Sequence, residues 1–346
     1  MNNKLSRRSF LSGSAAALAT ASMAPLATSC QRGASFPGIN DFGSKFGSVQ
    51  IGAITYSWRD MPAGLENMVK YCKETGINSI ELMSGDLETF LGIPARPAMP
   101  NQQRRRATPG QELPPLTPEE QAAREAAQAI QAQYNADVKT FRTGMTPEKV
   151  TPAKKLFDDA GIKVHTVKFS PARWSDEEID YAFRTAKAMG AKAVCEEIGD
   201  DAVKKMAPFA EKHGMNAIFH NHAQFGTEGF SADPFLAVSP AVMLNFDAGH
   251  YFGSTGLNPC DFIRKYHDRI FSIHVKDKTG PKTEPTPDEN QVWGQGEMPL
   301  AELFLLIKKE GWPIYLDIEL EYPIKRWSNQ VKEVKTCVQY ARNILI

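Results

Sequence analysis

Five short stretches gather the polar residues best suited to chemistry: Val194-Cys195-Glu196-Glu197, His220-Asn221-His222, Asn245-Phe246-Asp247-Ala248-Gly249-His250, Ser272-Ile273-His274-Val275-Lys276-Asp277 and Asp317-Ile318-Glu319-Leu320-Glu321. They contain four of the seven histidines. Read as strands, they place alternate residues on one face. His220 then lies with His222, Ser272 with His274 and Lys276, and Asp317 with Glu319 and Glu321. Three alternating carboxylates are not stable in apolar surroundings without cations. Carboxylates and neutral imidazoles drawn to one point suit a single divalent metal ion: Mn, Mg, Co or Zn. Beside such an ion, His220, His222 and Glu319 are candidates for moving a proton, because imidazole titrates near working pH. Lys276 either binds a substrate hydroxyl or oxyanion or pairs with carboxylates at the rim.

These stretches need elements that carry them to a common place. Short apolar runs at Val49–Tyr56, Ser79–Met83, Lys163–Phe169, Ala191–Glu197, Asn216–His222, Val242–Asp247, Ile270–Lys276 and Ile314–Glu321 read as strands. Helical patterns alternate with them: Gly64–Thr75, Thr151–Ala160, Asp176–Met189, Asp200–His213, Asp233–Val238, Asp261–His267, Leu300–Glu310 and Ser328–Leu345. Glycines at 76, 161, 214 and 311 read as helix stops ahead of a strand. Eight such units predict an α/β fold, a closed (β/α)8 TIM barrel. An open doubly wound sheet is disfavoured because no G-x-G-x-x-G follows the first strand. In a barrel the polar strand ends form one rim. Tyr56, Trp58, Glu81, Lys168 and His250 also fall near strand ends and are candidate substrate-binding residues, the aromatics by stacking on a sugar ring.

The order and spacing of these motifs, with the Gly294-Gln295-Gly296-Glu297 turn, resemble the sugar phosphate isomerase/epimerase superfamily of xylose isomerase-like TIM barrels. The likeness runs from about Val49 to the C-terminus, apart from an insertion. It implies a metal held by Glu, Asp, His and a second Glu. Asp247, His274 and Glu319 match three of these roles. The first Glu is the departure, since His220 stands where many relatives have Glu. Glu197 is the preferred replacement over Glu196, because the parity that turns Cys195 inward turns Glu197 inward too; His220 is the alternative ligand. The resemblance implies proton transfer next to a sugar carbonyl through an enediolate, giving an isomerase or epimerase. The missing Glu keeps two alternatives open: a lyase or deglycosidase acting on an oxidised sugar glycoside, and a non-catalytic carbohydrate-binding barrel.

The remaining features set the context. The 346 residues carry 40 basic and 40 acidic side chains, a formal net charge of +0. That argues against a general nucleic-acid surface, and so against the endonuclease branch of the superfamily. Five cysteines without a C-x-x-C pair do not form a disulfide framework. Ser6-Arg7-Arg8-Ser9-Phe10-Leu11, followed by the small-residue run from Gly13 to Leu26, reads as a Tat export signal within residues 1–30. Cys30 is a candidate lipid anchor, and no transmembrane span is expected. A periplasmic location favours an unphosphorylated sugar. Residues 93–145 read as an insertion in the barrel of 47–346. It combines a Pro/Gln/Arg-rich loop containing Arg104-Arg105-Arg106 with a helix from Pro118 to Arg142. It is expected either to cover the mouth or to meet a second subunit of a homo-oligomer.

Overall fold

A computed structural model describes residues 42–100 and 115–346; the export segment, Cys30 and the Arg104–Arg106 triplet lie outside them. Eight parallel strands close on themselves: β1 Val49–Ile54, β2 Ser79–Met83, β3 Lys163–Lys168, β4 Ala193–Glu197, β5 Asn216–His220, β6 Val242–Asp247, β7 Ile270–Val275 and β8 Tyr315–Ile318. Each pairs with its sequence neighbours, and β8 pairs with β1 to complete the ring. A two-residue strand, Lys45–Phe46, adds antiparallel to β1. This is the barrel the alternating pattern predicts. Its strands read as apolar runs because helices cover their outer face.

The helices are α1 Leu65–Thr75, α2 Ser84–Phe90, α3 Pro118–Thr143, α4 Pro147–Asp159, α5 Asp176–Ala188, α6 Asp200–His213, α7 Asp233–Leu236, α8 Ala248–Thr255, α9 Pro259–Tyr266, α10 Leu300–Glu310 and α11 Gln330–Leu345. Each covering helix turns one apolar stripe inward. In α5, Ile179, Ala182, Phe183 and Ala186 are buried at helical spacing. Full burial of a side chain such as Ile179 or Phe183 contributes about 1.5–3 kcal/mol. The capping box of Ser175 and Glu178 fixes the start of this helix. Gly76, Gly214 and Gly311 end α1, α6 and α10 in left-handed geometry, as expected. Among the described residues the four cysteines are free and buried, and no helix is long and apolar enough to cross a membrane.

Two differences from the sequence reading matter for the site. First, β5, β7 and β8 stop one to three residues early, so His222, Lys276, Glu319 and Glu321 lie on the segments that leave the strands. Their alternation nevertheless survives the strand ends. Second, the Asp247-Ala248-Gly249-His250 motif begins a helix, α8, absent from the sequence reading. Asp247 closes β6 and caps α8 by accepting a hydrogen bond from the His250 N–H at 2.7 Å. One residue therefore belongs to both elements.

The insertion contains the predicted helix. Thr117 and Glu120 form a capping box at the start of α3. Near its end, Arg142 bonds Glu88 at 2.9 Å and Glu178 at 3.1 Å while its guanidinium lies 3.4 Å from the centre of the Trp174 ring. These partners pin the end of the long helix to α2 and α5.

Candidate metal and proton-transfer site

Strand register builds the site. Asp247 on β6 pairs with His274 on β7, while His274 pairs with Asp317 on β8. Glu319 follows two residues later on the same face. Asn221 clamps the corner: its amide oxygen accepts from the Asp247 N–H at 2.9 Å and its amide nitrogen donates to the Asp247 carbonyl at 3.2 Å. The central residue of the His-Asn-His motif is thus a brace between β5 and β6, while the histidines on either side face the mouth.

His220, Asp247, His274 and Glu319 are all buried, and one ligating atom from each lies within 4.8 Å of the others. That spread matches donors placed about 2.0–2.4 Å from one centre. Two imidazoles and two carboxylates fit a divalent ion. His220 is suited to ligation: burial, reinforced by the charges of Lys168 and His274, holds its pKa well below the ordinary value and keeps the ring neutral. Its Nδ1 has no hydrogen-bond partner although it is buried. His274 is held differently. Nδ1 lies 3.0 Å from Glu319 Oε2, and Nε2 lies 3.0 Å from Glu81 Oε2. Burial opposes its charge, but the carboxylates of Glu319 and Glu81 prevail and hold its pKa well above the ordinary range.

Three expectations change. Glu197 does face the mouth, but its oxygens are engaged by Lys168 Nζ at 2.8 Å and His222 Nε2 at 3.0 Å. It lies outside the group of four that includes His220, so the structure favours the alternative ligand. Despite the burial penalty, these bonds hold Glu197 down at about 2 and raise His222. Glu196 points elsewhere and accepts backbone N–H groups from Ala172 and Glu197. Glu81 is fully buried, held by His274 and by Asn245 Nδ2 at 2.6 Å, so it positions groups beneath the mouth and is out of substrate's reach. Trp58 is likewise fully buried, its ring 6.0 Å from that of Tyr71, and is unavailable for stacking. Tyr56 remains partly exposed, with the Arg59 guanidinium over its ring at 4.5 Å.

Lys276 lies in the middle of the site. Its Nζ is 2.8 Å from Asp247 Oδ2, 2.7 Å from Glu319 Oε2 and 2.7 Å from Glu321 Oε2. Burial works against the ammonium, but these carboxylates raise its pKa. His250 lies 3.9 Å from Asp247 and 3.5 Å from Glu321, shares a second cluster of converging ring nitrogens with His220 and His222, and has its pKa lowered by burial. The roles of Asn221, Asn245 and Glu321 were missed in the sequence, although Glu321 carried a signal in its two-residue spacing from Glu319. Beyond Glu321, the segments following β1 and β8 enclose a polar cleft of about 400 Å³ lined by Arg59, Asp60, Glu321, Arg326 and Asn329, among others.

Comparison with known proteins agrees with the barrel fold. The family profile described as xylose isomerase-like TIM barrel matches residues 120–341. An inosose dehydratase of Clostridium beijerinckii is 26% identical over 136 residues, which are 35% of this chain and 45% of that protein. The match therefore spans less than half of the relative. A sugar phosphate isomerase/epimerase of Parabacteroides distasonis superposes with a TM-score of 0.52 at 15% identity, covering 90% of this chain and 100% of its own. The IolI protein with a bound zinc atom gives 0.55 at 15% identity, covering 85% and 97%. At these identities the two structures speak for the fold.

Proposed function

We propose that this chain, which belongs to the xylose isomerase-like TIM-barrel family, removes a proton from the carbon next to a carbonyl in a sugar-like substrate. The observation carrying this reading is the convergence of His220, Asp247, His274 and Glu319 at the mouth of the barrel. These four residues would hold one divalent ion, which supplies charge stabilisation for an enediolate oxygen.

The chain's own groups account for the proton. His222 is half exposed at the mouth, with its Nε2 3.0 Å from Glu197 Oε2. A proton held at Nε2 beside that carboxylate would leave Nδ1 as the basic atom. His222 takes the carbon-bound proton, and the electron pair moves into the carbonyl to give the enediolate. Return of the proton to the other face or to the neighbouring carbon gives an epimer or isomer. If the electron pair instead expels a hydroxyl from the next carbon, the product is a dehydrated ketone. The partial likeness to an inosose dehydratase favours this second, lyase-type outcome. The Tat-like segment supports a periplasmic enzyme acting on an unphosphorylated substrate; fractionation of cells carrying the wild-type and Arg7→Lys/Arg8→Lys chains checks this.

The deciding experiment incubates metal-loaded protein with inosose and with free ketoses in deuterated water, followed by NMR. Deuterium at carbon without loss of water identifies an isomerase or epimerase. Loss of water identifies a dehydratase. Binding of sugar with neither change leaves a carbohydrate-binding barrel and refutes the proposal.

A further inference from the structure

We infer that Lys276 is a tethered competitor for the divalent ion: its ammonium occupies the carboxylate face the ion would use, and ion binding moves it onto Glu321. The inference rests on the metal set proposed above. Lys276 Nζ contacts Asp247 Oδ2 and Glu319 Oε2 at 2.8 and 2.7 Å. Those same oxygens face the imidazoles, at 3.9 Å from His220 and 4.0 Å from His274 for Asp247, and at 3.0 Å from His274 for Glu319. A divalent ion and an ammonium cannot share them at ligating distance, since like charges a few ångströms apart in a buried site repel strongly.

The lysine's position is built into the fold. Its stem runs against Gly249 at the start of α8, where any Cβ would collide with the Lys276 side chain. The glycine of the Asp-Ala-Gly-His motif is thereby explained: it clears the path of a side chain from the next strand. Lys276 also has a third partner, Glu321 Oε2 at 2.7 Å, outside the group of four. Glu321 is partly exposed and lines the cleft. An ammonium that yields Asp247 and Glu319 therefore keeps one carboxylate, at the place where substrate enters. The device couples two events, the arrival of the ion and the delivery of a cationic hydrogen-bond donor to the substrate side.

The test measures Mn2+ affinity of the full chain at fixed pH by calorimetry and by the free-ion electron-spin-resonance signal. Lys276→Met is compared with Lys278→Met, which removes the same charge from a buried lysine paired with Asp288. Lys276→Met is expected to bind Mn2+ at least about tenfold more tightly than wild type, and Lys278→Met within about twofold of it. Unchanged or weaker binding by Lys276→Met overturns the inference alone, and so does an equal gain in both variants. Absence of Mn2+ binding in wild type and in a folded Lys276→Met overturns the metal set as well. If the methionine variant does not fold, Lys276→Gln retains a hydrogen-bond donor without the charge and carries the same comparison.

Discussion

Ser79, His165 and Asp317 form a chain across the lower barrel. Ser79 Oγ is 2.9 Å from His165 Nδ1, and His165 Nε2 is 3.0 Å from Asp317 Oδ2. The sequence of groups is that of a nucleophilic triad, yet all three are sealed from solvent. Tyr315 stacks on the imidazole at 4.1 Å, and Gly52 lies so close to Asp317 that a Cβ there would strike the carboxylate. One layer higher, Glu81, His274 and Glu319 repeat the theme of an imidazole between polar partners. Here, however, partly exposed Glu321, His250, His222 and Glu197 lead outward. Residue types and hydrogen-bond lengths are nearly the same in the two layers. Access and convergence differ. The lower layer is sealed, its three groups bonded to one another while Asp317 Oδ1 has no partner, whereas the upper one brings ligand atoms from four residues toward a shared space.

Four substitutions test this contrast, from the largest effect down. Asp247→Asn is expected to lower kcat/KM by at least about a hundredfold, measured at substrate concentrations well below KM. Its unfolding midpoint should move little, because asparagine still caps α8. Glu81→Gln weakens the support of His274 and should cost about 10–100-fold in metal affinity, read by calorimetry. Asp317→Asn should behave oppositely. It disturbs a buried bond and lowers unfolding stability by about 1–3 kcal/mol in urea, with metal affinity unaltered. A fall in metal affinity there as large as in Glu81→Gln would remove the distinction between the layers.

A surface ion cluster gives the smallest effect and serves as a control. Asp180 bonds Lys212, His213 and Arg184 at 2.6–2.8 Å. Although burial raises its pKa, these partners bring it to about 2. A carboxylate lowered in the folded state contributes stability above its unfolded pKa, near 4, and loses it as pH falls through about 2. Solvent screening keeps the contribution below about 1 kcal/mol. Asp180→Asn should therefore lower the melting temperature slightly at pH 6 and leave it unchanged near pH 2; an equal shift at both values would contradict the ion-pair account.

Much of the site was legible because barrel chemistry sits at strand ends. Asp247, His274 and Glu319 follow from alternation and from the family motifs. The choice between Glu197 and His220 was not legible, since parity turns both toward the mouth. In the structure Lys168 and His222 lie against Glu197, and His220 is the one of the two within the group of four that could hold an ion. Trp58 was misplaced because a short 3-10 turn, Thr55–Trp58, follows β1 where extended strand was expected. That turn rotates the indole into the core. Helix α8 escaped notice because Ala248–Thr255 is short and lacks an apolar stripe; its capping by Asp247 depends on strand and helix meeting at one residue.

The sequence by itself pointed to the barrel, through eight repeats of strand, helix and stop with no dinucleotide-binding glycine motif after the first strand. It also determined which residue types reach the rim, because alternation is a local property of extended backbone. Tertiary structure alone decided that Ser79, His165 and Asp317 are sealed, that His220 lies with Asp247, His274 and Glu319, and that Lys276 lies among their carboxylates. Those outcomes depend on distances between side chains from different strands. Register and packing set such distances, and no single segment contains them.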